Sequence, residues 1–331
     1  MQRASLDSSN HESLSILHRY VLRLSPIRVL NISLRRKARQ FGKVVRHSLT
    51  TPRTGHPQKL VAAEPGEFGI TFIGHSGFLI QIGGKNVLID PNFANWIFIL
   101  KRLRRPGLRL RELPPIDYVL VSHAHFDHLH RPSLRAIARL TRRLGGPAPT
   151  IIVPKHVGEL GERLGFHQVV EMEWWQKLRD KAGIEITHTP ANHWGARLIH
   201  DDHRGFGGFV LRKGEHSVYH SGDTAYFRGF EEIGQRLFPE IALLPIGAYE
   251  PPSFRNVHTS PEDALQGFLD LGAERMIPMH YGTFRLSHEP MEEPVPRLLA
   301  AAEQAGVRER VRVLREGETL IQQAALKQQA G

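Results

Sequence analysis

A β-branched, apolar run, DYVLVS (Asp117–Ser122), ends directly in a crowd of polar side chains, HAHFDHLH. Four imidazoles and a carboxylate fall between His123 and His130. Groups of this kind are costly to bury without partners, so a chain that gathers them at a strand end must give them something to hold. In extended backbone the side chains of His123 and His125 project to the same side and can reach one ion. Asp127 and His128 follow on the turn and point elsewhere, toward a second ion about 3.5–4 Å from the first.

The 331 residues include no cysteine, which removes disulfides, thiolate ligands and a catalytic thiol together. A metal here is confined to nitrogen and oxygen ligands, a set that suits zinc, with manganese or iron as alternatives. From about Phe68 the chain becomes a series of short apolar runs divided by Gly, Pro and polar turns. GITFIG, GFLIQI and NVLID read as successive strands, and TIIVP, GIEITHT, GGFVLR, HSVYHS and IALLPI as further ones. SLRAIARLTR carries Leu134, Ile137 and Leu140 at helical spacing. A second helix is marked from Ser260, an N-cap followed by Pro261 and Asp263, to its stop at Gly272. Strands alternating with helices predict an α/β layered domain.

Charge divides the chain differently. In residues 1–60 twelve basic residues face only Asp7 and Glu12, a net +10 out of +11 for the whole. The rest is nearly neutral, so a protein that binds nucleic acid throughout is not expected. The basic segment carries Leu14, Val21, Ile27 and other apolar residues among its arginines. It reads as an amphipathic stretch for an anionic membrane surface, a transit-like leader or a poorly ordered segment. The expected division is 1–60 for this segment and 61–325 for a hydrolase domain. No apolar run approaches the roughly 18–20 residues of a transmembrane helix, so the expected location is cytoplasmic, with peripheral membrane contact.

The His-x-His-x-Asp-His spacing of His123, His125, Asp127 and His128 resembles that of the metallo-β-lactamase superfamily. Further landmarks follow the family's order: Asp90 in VLIDP, His193 in PANHWGAR, Asp223 in HSGDTAY and His280 in MHYGTF. The resemblance implies a four-layer αββα fold and two zinc ions. His123, His125 and His193 would hold the first ion, Asp127, His128 and His280 the second, and Asp223 would bridge them. Asp90, and His75 in GHSG, would stand behind or beside these ligands.

The stretches GHSGFLIQIGGKNVLIDPNF, EWW, LLPIGAYEP and HYGTFRLSHEP, across Phe68–Pro296, resemble N-acylphosphatidylethanolamine-hydrolysing phospholipase D and its bacterial relatives. That implies a phosphodiesterase in which a metal-bridging hydroxide attacks phosphorus, with Asp127 and His258 taking part in the chemistry. His258 lies two residues before the Ser260 N-cap, where helix amides could help hold a phosphate. The alternatives are a lactone or ester hydrolase of the ascorbate-6-phosphate lactonase type and a metal-dependent ribonuclease. The implied partner is a phospholipid or another phosphodiester.

Several residues stay open. Residues 95–113 (NWIFILKRLRRPGLRLREL) read equally as a lipid-touching insertion or as a buried helix with a basic face. Trp174 and Trp175 could line an acyl groove or simply pack. His220 reads as a strand histidine, and His200 and His203 are unassigned. His130 stands where the phospholipase relatives often carry an acid, outside the ligand pattern.

Overall fold

The structure, a computed structural model, describes residues 42–198 and 201–322. Most of the basic N-terminal segment and His200 therefore lie outside the described residues. By compactness the chain divides into two units, 1–47 and 48–331. Of the first, residues 42–47 are helical.

Two sheets carry the unit 48–331. The first contains strands β1 (Phe68–Gly74), β2 (Gly77–Ile82), β3 (Lys85–Ile89), β6 (Tyr118–Leu120), β7 (Thr150–Pro154), β8 (Gln168–Met172) and β15 (Thr319–Gln322). Its spatial order is β15-β1-β2-β3-β6-β7-β8, antiparallel as far as β3 and parallel from β3 to β8. The second contains β9 (Lys177–Arg179), β10 (Glu185–Thr189), β11 (Gly208–Lys213), β12 (His216–His220), β13 (Ile241–Pro245) and β14 (Arg275–Met279). It is ordered β14-β13-β12-β11-β10-β9, with β12, β13 and β14 parallel. A two-stranded hairpin, β4 (Trp96–Ile97) and β5 (Leu100–Lys101), stands apart from both.

The strands are apolar on both faces because each sheet is covered on both. Along β1, Phe68, Ile70 and Phe72 join Phe209, Leu211, Val218, Ile241 and Ile277 in one core shared by the two sheets. Ile73, with Leu79, Leu88, Val119 and Ile151, faces the other way, onto Leu134 and Ile137 of the helix Arg131–Arg143. On the second sheet Val210, Tyr219, Ala242 and Leu244 turn outward onto Phe230, Phe268 and Leu298. These belong to the helices Gly229–Leu237, Pro261–Leu271 and Pro294–Gln304. The layers run helix, sheet, sheet, helix, as the family resemblance implies. Period-two alternation sorts each strand's residues between the middle and an outer core.

The helix expected from Ser260 forms with a full capping box. Asp263 N donates to Ser260 Oγ at 3.2 Å, and Ser260 N donates to Asp263 Oδ2 at 3.2 Å. That box weakens one expectation. Pro261 has no N–H, and the Asp263 N–H is already taken, so the helix start near His258 offers a phosphate little. Residues 95–113 form no long buried helix either. The hairpin, a single 3₁₀ turn (Leu110–Glu112) and extended chain occupy that segment. Among the described residues no helix is long and apolar enough to cross a membrane.

Candidate metal centre

The landmark residues sit just beyond the C-terminal ends of parallel strands, the edge where α/β sheets usually present ligands. Asp90 follows β3, His123 follows β6, Asp223 follows β12 and His280 follows β14. His193 comes from the β10–β11 loop, and His258 from the segment leading into the Pro261–Leu271 helix. Close approach of the two sheets depends on Gly222, at φ +64°. A Cβ there would fall 2.8 Å from the Ser122 Cβ and 2.6 Å from the Gly207 carbonyl.

Two groups of donors result. In the first, His123 Nε2 lies 2.8 Å from His125 Nδ1, which lies 3.4 Å from His193 Nε2. Nitrogens bound to one tetrahedral zinc at 2.0–2.1 Å would be about 3.3 Å apart, so this spacing fits a shared ion. Burial holds all three imidazoles neutral: His123 and His193 fall well below the ordinary value and His125 falls to about 4. Neutral imidazole is the form that ligates. His193 is aimed by its Nδ1, which donates to the Val257 carbonyl at 2.7 Å.

The second group is charged. Asp127 Oδ2 lies 3.7 Å from His128 Nε2 and 3.5 Å from His280 Nε2. Asp223 Oδ2 lies 3.3 Å from His128 Nε2, 3.0 Å from His280 Nε2 and 4.0 Å from His123 Nε2, between the two groups. Burial opposes charge on His128, but Asp223, Asp90 and Asp127 outweigh it and lift its pKa well above the ordinary value. His280 rises to about 9 against the same burial, through Asp223 and Asp127. Asp127 and Asp223 are buried too, yet His128 and His280 help hold both well below the carboxylate range.

The ionic contacts leave polar atoms unmet. His128 Nε2, His280 Nε2 and Asp223 Oδ1 are buried without a hydrogen-bond partner. A cation at that place would satisfy all three, so the residues present fit a metal. His75, expected beside the site, lies in it: Nε2 is 2.9 Å from Asp127 Oδ2, and the ring packs 4.3 Å from that of His280. It could itself complete a ligand group with Asp127, His128 and His280. His258 Nδ1 stands 3.7 Å from Asp223 Oδ2, its ring between those of His193 and His280, and burial pushes its pKa down to about 3.

Asp90 holds two of these histidines from behind. Its Oδ2 accepts from His128 Nδ1 at 2.6 Å and from the Ser122 hydroxyl at 2.6 Å; its Oδ1 accepts from Ser122 N at 2.7 Å. The Ser122 oxygen in turn accepts from His123 Nδ1 at 2.9 Å. Both rings keep a proton on Nδ1, so once a cation displaces the proton that His128 holds on Nε2, each would offer a bare Nε2 to the ligand groups, the usual way a carboxylate fixes a metal-binding histidine.

Three supports have no signal in the sequence. They are Ser122, Asn92, whose amide donates to Asp127 O at 2.8 Å, and Arg197. Arg197 Nη1 donates to the Ala124 and Leu129 carbonyls, and its guanidinium lies 3.6 Å from the centre of the Phe126 ring. Arg197 thereby pins the histidine loop from outside. Trp194 follows a histidine in sequence and walls the site, its ring 4.4 Å from His193 and 4.8 Å from His125.

The structure also resolves the fourth histidine of the loop. His130 is the N-cap of the Arg131–Arg143 helix, its Nδ1 accepting from Ser133 N at 3.3 Å and Ser133 Oγ at 2.7 Å. His220 is a strand residue held by the Ser76 carbonyl, and His203 packs against His156 away from the ligand groups. Trp174 bonds to the Phe206 carbonyl and Trp175 lies under Arg236. A hollow of about 750 Å³ lined by His216, Glu231, Glu240, Asp270 and Glu274 shares no residue with the metal centre.

Residues 85–281 match the β-lactamase superfamily domain. The chain belongs to that superfamily. A UPF0173 metal-dependent hydrolase of Methanopyrus kandleri is 32% identical over 254 residues, 76% of this chain and 98% of its own. The mitochondrial N-acyl-phosphatidylethanolamine-hydrolyzing phospholipase D of Saccharomyces cerevisiae is 33% identical over 253 residues, 72% of this chain and 53% of its own. Among solved structures, Igni18, a metallo hydrolase of Ignicoccus hospitalis, superposes with a TM-score of 0.59 at 26% identity, over 78% of this chain and 99% of its own. This superfamily member is thus a metal-dependent hydrolase with the metallo-β-lactamase fold.

Proposed function

We propose that the protein is a dinuclear phosphodiesterase of phospholipase D type, acting on N-acylphosphatidylethanolamine-like phospholipids. The observation that carries this reading is the shared position of Asp223, whose Oδ2 reaches His123 of one donor group and His128 and His280 of the other. His123, His125 and His193 would hold one ion; Asp127, His128 and His280 would hold the second, with Asp223 common to both. Zinc is the ion best matched to this ligand set, and bound ions would supply Lewis acidity and an activated water.

The chain's own residues then have distinct tasks. Asp90 and Ser122 fix the tautomers of His128 and His123, while Asn92 and Arg197 hold the loop that carries them. His258, kept neutral by burial, can donate one N–H to a phosphoryl oxygen without bringing a charge of its own. Trp194, against His125 and His193, gives the site an apolar wall that would exclude water beside the phosphoryl group. Water would add to phosphorus as the bond to the N-acylethanolamine oxygen breaks, yielding phosphatidic acid and N-acylethanolamine. The substrate class is supported by 31–33% identity to phospholipases of this specificity in yeast and Caenorhabditis elegans. Membrane contact would come through the basic N-terminal segment and residues 95–113.

The test is a substrate panel on purified, zinc-loaded protein: N-acylphosphatidylethanolamine in detergent micelles, a lactone and RNA, each with and without chelator. Release of phosphatidic acid that chelator abolishes is the expected result. Metal-dependent turnover of the lactone or RNA alone would replace the phospholipid reading.

A further inference from the structure

Hairpin β4–β5 is too small to be stable for its own sake. It turns in two residues, Phe98 and Ile99, and Phe98 takes the left-handed conformation at φ +50°. Turns this tight normally place Gly, Asn or Asp where φ is positive, because a Cβ is strained there. Here the strained position carries a phenylalanine that is 72% exposed, flanked by Trp96 and Ile99, each 40% exposed. The opposite face is spoken for, since Ile97 and Leu100 pack with Ala94, Phe126 and Phe284. Most of the Phe98 surface meets water rather than the core, and strain of this kind tends to gather where a ligand is met.

The base of the hairpin is basic, and its cations are held by neutral oxygens. Arg53 donates to the Asn95 side chain at 2.9 Å and to the Asn95 carbonyl at 3.3 Å. Lys101 donates to the Thr51 carbonyl, and Arg105 to the carbonyls of Arg53 and Gly55. These bonds fix the three side chains around the hairpin without cancelling their charge. An apolar tip above a positive collar complements a layer whose interior is apolar and whose surface is anionic. The tip also touches the metal centre's loop: the Phe98 ring meets Phe126, centroids 4.4 Å apart, and Phe126 lies between His125 and Asp127.

We propose that the β4–β5 hairpin docks this protein on anionic phospholipid surfaces, with Phe98, Ile99 and Trp96 entering the acyl layer and Arg53, Lys101 and Arg105 resting on the headgroups. The inference rests on the phospholipid reading above and adds a direction to it, because docking by this tip sets the Phe126 side of the metal centre against the lipid. Binding is a separate readout from turnover, so the two can fail independently.

The experiment is co-sedimentation of the full chain with phosphatidylcholine vesicles, with and without phosphatidylglycerol, neither containing the substrate lipid. Phe98→Gly is the main variant, since glycine suits the turn, which offsets the lost contact with Phe126 and should leave the melting temperature little changed. It should lower partitioning onto the anionic vesicles about tenfold, the scale of withdrawing one phenylalanine from an apolar phase. Lys101→Gln with Arg105→Gln should weaken binding and flatten its salt dependence. The basic N-terminal segment is present in every protein compared, so the difference isolates the hairpin. Equal binding of wild type and Phe98→Gly, or binding by neither, overturns the proposal. So does a wild-type dimer in vesicle-free solution that Phe98→Gly abolishes, which would assign the tip to a second copy of the chain.

Discussion

Asp90→Asn isolates the device that aims the histidines. The carboxylate is fully buried and takes a positive φ of 45°, which asparagine tolerates, so shape and backbone are kept. Chemistry is not. If the amide oxygen stays on Ser122 N, now 2.7 Å from Oδ1, its NH₂ must face His128 Nδ1 and the Ser122 hydroxyl. Two donors cannot share that contact, so His128 moves its proton to Nε2, the nitrogen turned toward Asp223 and Asp127. Binding a cation there then requires the unfavourable tautomer. Losing a carboxylate behind a metal-bound histidine typically lowers affinity 10- to 100-fold, about 1.4–2.8 kcal/mol. A zinc competition titration against a chromophoric chelator reads this directly, with circular dichroism to establish that the variant is folded. Unchanged affinity in a folded variant would refute the assignment of Asp90.

Ser122→Ala should weaken zinc binding less than Asp90→Asn, since it releases His123 but leaves the direct contact from Asp90 to His128; an effect as large or larger by the same titration would mean the serine acts otherwise. Arg197→Ala should cost about 1–2 kcal/mol of stability in urea unfolding through its two carbonyl bonds, and Arg197→Lys should not restore the lost stacking on Phe126. Removing metal should destabilise the protein by an amount that grows with the logarithm of free ion over Kd, about 4 kcal/mol for an ion present at a thousand times its Kd, read as a fall in melting temperature on adding chelator. His188 is buried, and burial lowers its pKa to about 4 against backbone contacts with Glu173 and Met172 that favour the charged form. Because the unfolded histidine, near 6.5, binds the proton first, stability is full above that pH and drops as pH falls toward 4, by roughly 3 kcal/mol. In His188→Leu the dependence of unfolding free energy on pH across that window should be flatter.

Much of this was legible from residue order. Strands β1, β2, β3 and β7 were marked by apolar runs between turn residues, and the Pro261–Leu271 helix by its cap. Weak elements escaped for physical reasons. β8 (QVVEM) and β9 (KLR) are half-exposed at sheet edges, so little apolar pattern is required of them. β14 (RMIPM) carries a proline where a strand is least expected. Of the site, the ligand spacing was visible because neighbouring residues supply half of it. Ser122, Asn92 and Arg197 act through contacts between distant segments, and an arginine four residues after a histidine carries no mark of that. His130 was visible only as a departure, and its ring does what serine or aspartate commonly does at a helix start.

The central claim is one site for two ions shared through Asp223. Metal analysis of purified protein after zinc loading and desalting tests it most directly, on wild type, His193→Ala and His280→Ala in parallel. Wild type should hold about two equivalents of metal per chain and each variant about one, each variant losing the ion of its own donor group. A single equivalent in wild type that either substitution leaves in place would contradict it.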